Sequence, residues 1–253
     1  MLKKKLLINN ISKLFKKLDI RKGSRILMHS NSAGLYQFNV NVKLSRKIFF
    51  DKIIDTIGRN GQLILPVYNY DFTRKKVFYF NKYNCQVGEL GNFFLKNYNT
   101  YRSSNPVFSH AIMRGKIKLI YNDEQSDCLG KNSFFKNFYD YNFKIFGFCS
   151  APTNSMTFIH HVEAMNKVKY RYDKKFTSFI VKNKKEKKTI IYNVGKKSIN
   201  YDFNNNKIRN FLKRLNSFKL FNFGRFECWT VDAKEVYNKL TIKIKKKQNY
   251  LII

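Results

Sequence analysis

Two of the four histidines in the chain stand side by side in Thr157-Phe158-Ile159-His160-His161-Val162-Glu163. At helical pitch Thr157, His160 and Glu163 recur every three residues and share one face. A hydroxyl, an imidazole and a carboxylate placed together can move a proton. They are what a proton-transfer site needs. The same three residues also suit an ordinary solvated helix, so the spacing alone leaves both readings open. His161 points about 100° away on such a helix and is expected to be structural. Cys149 lies close in sequence and could carry an acyl group. No base is spaced beside it, so a buried inert thiol is expected there.

Two loops carry further chemistry. His29-Ser30-Asn31-Ser32 closes a short apolar run, Arg25 to Met28. A strand that opens into Ser and Asn offers backbone N–H groups and hydroxyls, which hold phosphates at the carboxyl edge of an α/β sheet. An ordinary polar turn has the same composition. In Tyr101-Arg102-Ser103-Ser104-Asn105-Pro106 a guanidinium stands beside two hydroxyls, and Pro106 enforces extended backbone before it. The cysteines, Cys85, Cys128, Cys149 and Cys228, have no metal-knuckle or C-x-x-C spacing. No metal is expected, and reduced cysteines fit a cytoplasmic protein.

The elements that position these residues can be read from hydrophobic period. Leu7, Ile11, Leu14, Phe15 and Leu18 predict an amphipathic opening helix. Arg25 to His29 and Gln62 to Tyr68 read as buried strands, with a helix through Ile48, Phe49, Ile53, Ile54 and Ile57 closed by Gly58 between them. That is a β-α-β unit, parallel and right-handed. Val87 to Leu95 predicts a helix, Val107 to Ile112 a strand, and Phe143 to Phe148 a strand that leads into the Thr157 stretch. Beyond Arg171 the pattern changes. Phe176 to Val181 and Lys188 to Tyr192 read as a hairpin over Lys182-Asn183-Lys184-Lys185. A helix from Lys207 to Leu215, a strand from Arg225 to Val231 and a helix from Ala233 to Leu240 follow. The expected fold is α/β: a three-layer αβα core with a central mixed, largely parallel sheet over residues 1–170. A C-terminal α+β part, residues 171–253, packs on it without a flexible linker.

The chain has 253 residues with a formal net charge of +34. Such a charge attracts anionic ligands and repels polycations. It also raises a different class of function, a non-enzymatic nucleic-acid-binding protein. Two features weigh against that partner. The cations are 39 Lys and 11 Arg, although Arg suits phosphate forks and base edges. They are also spread along the whole chain, alongside abundant Asn, Ile, Phe and Tyr, which is the signature of A/T-rich coding. The start, Met1 to Ile8, resembles the beginning of a signal peptide, but its apolar run stops at Asn9 without a cleavage site. No run of 18 apolar residues is present, so no membrane span is expected.

In family order, these motifs resemble the aminoglycoside 3-N-acetyltransferase (antibiotic N-acetyltransferase) family. His29-Ser30-Asn31-Ser32 stands at its "HSS". Gly58 through Gly61-Gln62-Leu63-Ile64-Leu65-Pro66 is close to "vG..GtLvmP". Gly88-Glu89-Leu90 sits where a glycine precedes the next helix. Arg102-Ser103-Ser104-Asn105-Pro106 resembles "RS.HP", with Ser109 three residues beyond. Gly130 to Phe134 resembles "g..SP", and Met156 to Glu163 resembles "nT..H..E". The matches span about 140 residues. Asn31 replaces the family's second serine, Asn105 its histidine, Phe134 its proline and Met156 its asparagine.

The resemblance implies acetyl transfer from acetyl-CoA to an amino group on a sugar ring, with His160 as general base. Glu163 would orient the imidazole or hold the substrate ammonium, and Thr157 would donate to the thioester oxygen or the leaving thiolate. His29, Ser30, Asn31, Ser32, Arg102 and Ser103 would meet CoA, with the pantetheine arm passing Pro66 and Val67. Tyr68 and Glu163 would meet the acceptor. With 16 acids against 50 bases, the expected acceptor is a nucleotide-linked or otherwise anionic amino sugar of polysaccharide synthesis. An aminoglycoside drug is the alternative.

Overall fold

The computed structural model describes all residues except 1, 83, 114–118, 120–125 and 200, and omits the side chain of 154. In chain order the described elements begin with α1 (Leu2–Lys17), β1 (Arg25–Ser30), α2 (Ala33–Tyr36), α3 (Val42–Ile57) and β2 (Gln62–Pro66). A 3₁₀ turn (Tyr70–Thr73), β3 (Val77–Tyr79), α4 (Glu89–Asn97), β4 (Thr100–Arg102) and β5 (His110–Met113) follow. Then come α5 (Lys136–Asp140), β6 (Lys144–Phe148), α6 (Pro152–Ser155), α7 (Phe158–Met165), β7 (Arg171–Val181) and β8 (Lys185–Gly195). The chain closes with α8 (Asn205–Lys213), β9 (Lys219–Phe223), β10 (Phe226–Asp232) and α9 (Ala233–Lys246).

A seven-stranded mixed sheet runs in the order β4-β5-β2-β1-β6-β10-β9. Successive side chains on a strand point to opposite faces, and this alternation builds two cores. Ile26 and Met28 of β1 join Leu63, Leu65, Phe146 and Phe148 under α1, α3 and α4, where Leu7, Ile11, Phe49, Phe50 and Phe94 are buried. Leu27 joins Ile64, Ile145 and Val231 on the other face, under Phe138, Phe158, Val162, Val236 and Leu240 of α5, α7 and α9. Each fully buried phenylalanine contributes about 1.5–3 kcal/mol. The three-layer α/β arrangement matches the sequence expectation.

Local signals set the helix limits as expected. The Asn41 side chain accepts the Leu44 N–H at the start of α3, and Gly58 ends the helix at φ +63°, a left-handed conformation that glycine adopts without strain. The β1-α3-β2 unit is parallel, with Ile26 opposite Leu63.

Parallel pairing is narrower than a largely parallel sheet. Among the described residues of the central sheet it covers β2-β1-β6, whereas β5, β4, β10 and β9 join antiparallel. The strand expected over 107–112 starts only at His110. The Asn105 side chain takes the N–H groups of Val107 and Phe108 and makes a turn there instead. Part of the stretch beyond residue 170 lies within the central sheet, because β10 pairs with β6. The β7-β8 hairpin of that stretch makes a second sheet with β3.

Candidate active site

The central parallel strands end at one edge of the sheet, where open α/β folds form their binding crevice. A cavity of about 320 Å³ lies there, lined from β1 by His29 and Ser30, from β2 by Leu65 and Pro66, and by Tyr68, Phe108, Thr157, His160 and Tyr192 among others. Two close approaches shape it. Gly91 of α4 lets the helix pack on the end of β2, since a Cβ there would stand 2.5 Å from the Pro66 carbonyl oxygen. Gly147 of β6 makes room for the Trp229 indole, 2.1 Å from where a Cβ would be. The Trp229 Nε1–H then donates to the Ser150 carbonyl at 2.6 Å and anchors the segment that leads from β6 into the site.

Thr157 stands at the N-terminal cap position of α7, and His160 lies in its first turn. His160 Nδ1 is 2.7 Å from Glu163 Oε2. A carboxylate at that distance is an acceptor, so Nδ1 donates to it, and in a neutral ring Nε2 is then the acceptor; Arg171 Nη1 lies 3.2 Å from the same Nδ1. Glu163 has no solvent exposure. Its Oε1 accepts from the Tyr170 hydroxyl at 2.6 Å, and the Arg171 guanidinium lies 3.5 Å from Oε2. Burial pushes the Glu163 carboxyl up, but His160, Arg171 and Tyr170 together outweigh it and hold the group below its ordinary value. Arg171 is fixed in turn by Asn193, through Nε to the side chain and Nη2 to the backbone carbonyl. The arrangement can accept a proton at His160 and keep the ring oriented while it does.

Of the residues expected at the site, His29, Ser30, Pro66, Tyr68, Thr157 and His160 share the cavity lining. The Tyr68 hydroxyl is 3.2 Å from His110 Nε2. Burial raises its phenol well above the usual range, so it stays a neutral donor. Glu163 lies behind His160 rather than in the lining, and of its two expected roles this placement suits orientation of the ring.

Asn31, Ser32, Val67, Arg102 and Ser103 fall outside the lining. Asn31 caps the Ala33 N–H, and Ser32 donates to Glu89. Val67 is buried, and its carbonyl accepts from Ser109. Arg102 spends its donors on the Ser109 hydroxyl and the Phe80 and Val67 carbonyls. Ser103 is buried and accepts the His110 N–H. The Ser32 and Ser103 hydroxyls and the Arg102 guanidinium, which look free in the sequence, are bonded within the protein; Ser103 lies in the interior turn before Pro106, where the Ser104 hydroxyl is buried without a partner among the described residues.

His161 turns into the core and donates from Nδ1 to the Leu129 carbonyl at 2.6 Å; burial lowers its pKa to about 4. Cys149 Sγ lies 3.7 Å from Cys228 Sγ, and burial pushes its thiol far above the ordinary range, unlike an activated nucleophile. The sequence reading missed Tyr70, Phe108, Ser150, Ser155 and Tyr192 in the lining, and Tyr170 and Arg171 behind it. Tyr170 and Arg171 lie past the end of α7, so no helical spacing ties them to His160. Among the described residues, no group of three or more His, Cys, Asp or Glu side chains could hold a metal ion. No helix among them is long and apolar enough to cross a membrane.

The fold is a mixed-sheet α/β one, and its strand-end cavity holds a histidine bonded to a buried carboxylate. The family model described as aminoglycoside 3-N-acetyltransferase matches residues 27–243. The chain belongs to that family, and with it to the acetyl-CoA-dependent N-acetyltransferases. No curated protein matches it in sequence. Among solved structures, YokD from Bacillus subtilis is similar at 16% identity and TM-score 0.76, over 95% of this chain and 93% of that one. AAC-IIIb, solved as a binary complex with CoASH, is similar at 15% identity and TM-score 0.77, over 96% of each chain. AAC-VIa, solved bound to sisomicin, is similar at 16% identity and TM-score 0.75, over 96% of this chain and 97% of that one.

Proposed function

We propose that the chain transfers acetyl directly from acetyl-CoA to the amino group of a nucleotide-linked or otherwise anionic amino sugar, with His160 as general base. The observation that carries this reading is a cavity that holds His160 and, among the described residues, no carboxylate: none of those lining it is Asp or Glu. Glu163, the acid nearest the base, is buried and already partnered by Tyr170, Arg171 and His160. A polycationic acceptor would enter a +34 protein and meet no counter-charge among the described lining residues, whereas an anionic carrier is drawn by the same field.

The lining suits an uncharged thioester arm. Leu65, Pro66 and Phe108 give apolar contact, and Ser30, Tyr68, Ser150 and Thr157 give hydrogen-bonding groups that fix its orientation. The acceptor amine adds to the thioester carbonyl carbon and gives a proton to His160 Nε2. The C–S bond then breaks, and the thiolate leaves with that proton. Thr157 donates to the oxygen that becomes negative.

The runner-up acceptor is an aminoglycoside, favoured by AAC-VIa, whose structure holds sisomicin. Release of CoA thiol, followed with a panel of nucleotide-linked amino sugars and aminoglycosides, separates the two. Faster turnover of the nucleotide-linked sugars is expected. A clear preference for aminoglycosides defeats the anionic acceptor and leaves the acetyl transfer standing.

A further inference from the structure

β1 ends in His29 and Ser30, which line the same cavity as Thr157 and His160. His29 is only 6% exposed, yet its Nε2 has no hydrogen-bond partner among the described residues. A buried polar atom left without a partner is destabilising. Such an atom on a residue of a cavity wall marks where a ligand's polar atom fits. Burial lowers the His29 pKa to about 3. His110, also fully buried, is held well below its ordinary value by burial and then by His29. Both rings are therefore neutral. A neutral imidazole of this kind is no proton acceptor at working pH; it can serve as an electrophilic hydrogen-bond donor. In acetyl transfer the polar atom the cavity must receive is the thioester oxygen, an acceptor, and an acceptor calls for Nε2–H.

We propose that His29 donates from Nε2 to the carbonyl oxygen of acetyl-CoA and, with Thr157, holds the oxyanion formed when the amine adds. The proposal rests on the acetyl-transfer reading and adds a catalytic residue to it. The amine nitrogen bonds to the carbonyl carbon, and the C=O π pair moves onto oxygen, facing His29 and Thr157. That pair returns, the C–S bond breaks, and the thiolate takes the proton collected by His160. His29 keeps its own proton throughout.

Infrared spectroscopy of carbonyl-¹³C acetyl-CoA bound to the full chain without acceptor tests this. The wild-type protein is expected to shift the thioester carbonyl to lower frequency. His29→Phe should lose the His29 share of that shift and about 10²-fold in kcat, with the Kd for CoA changed by less than about threefold. His29→Gln, which can place an N–H near the same point, should recover part of both. The wild-type spectrum requires no variant, so poor folding of His29→Phe does not remove the test. A bound carbonyl at its solution frequency overturns the proposal, as does a shift that survives unchanged in both variants. Failure of acetyl-CoA to bind at all overturns the acetyl-transfer reading itself, and the role of His29 with it.

Discussion

Arg171 Nη1 stands 3.5 Å from Glu163 Oε2 in a region closed to solvent. This ion pair, with the Tyr170 hydroxyl, lets a fully buried carboxylate remain charged behind His160. Removing one partner of a buried pair leaves the other uncompensated. Glu163→Gln is expected to destabilise the protein by about 3 kcal/mol at neutral pH, read from urea denaturation. The folded carboxyl is held below its ordinary value of 4.5, so its contribution is present above that pH and lost as pH falls through the folded value. The gap between wild type and Glu163→Gln should therefore narrow below about pH 4.5. A gap independent of pH contradicts a charged Glu163.

Arg102 joins three segments through the Ser109 hydroxyl and the Phe80 and Val67 carbonyls. Arg102→Met is expected to lower stability by about 2 kcal/mol and to leave CoA affinity within about threefold, measured by calorimetry. A tenfold loss of CoA affinity at unchanged stability would return Arg102 to the phosphate-binding role its sequence context suggests.

Gly147 admits the Trp229 indole, which holds Ser150 in place. Gly147→Ala forces the ring away and is expected to cost about 1–3 kcal/mol through overpacking. It should also raise the KM for acetyl-CoA, because Ser150 lines the cavity. An unchanged Tm and KM would show that the indole relocates freely.

The layers were legible in the sequence and the sheet's edges were not. Apolar residues at helical spacing around Leu7–Leu18 and Ile48–Ile57, and short apolar runs bounded by glycine, serine or asparagine, mark α1, α3, β1, β2 and β6. Strands β3 and β4 have three residues each, too few to show a period. In β9, Lys219 to Phe223, mostly exposed residues face water, so no buried alternation marks it. Antiparallel pairing of β10 with β6 joins residues about 80 positions apart, a relation that no local pattern carries. In the site, Thr157 and His160 were legible because one short stretch supplies both. Arg102 and Ser103 look available in sequence only because it does not show that Ser109, Val67 and His110 bond them.

Thr157 lines the cavity together with Tyr68. Thr157→Val removes one donor to the oxyanion and is expected to lower kcat about 10²-fold with little change in KM. Equal losses in binding and none in kcat would place Thr157 in ground-state contact instead.

Steady-state acetyl transfer by His160→Ala, paired with calorimetric CoA binding, tests the role of His160 most directly. Loss of the base is expected to lower kcat by about 10²–10⁴-fold, with CoA bound as in the wild type. Full acetyl transfer by His160→Ala contradicts a His160 base, however well CoA binds.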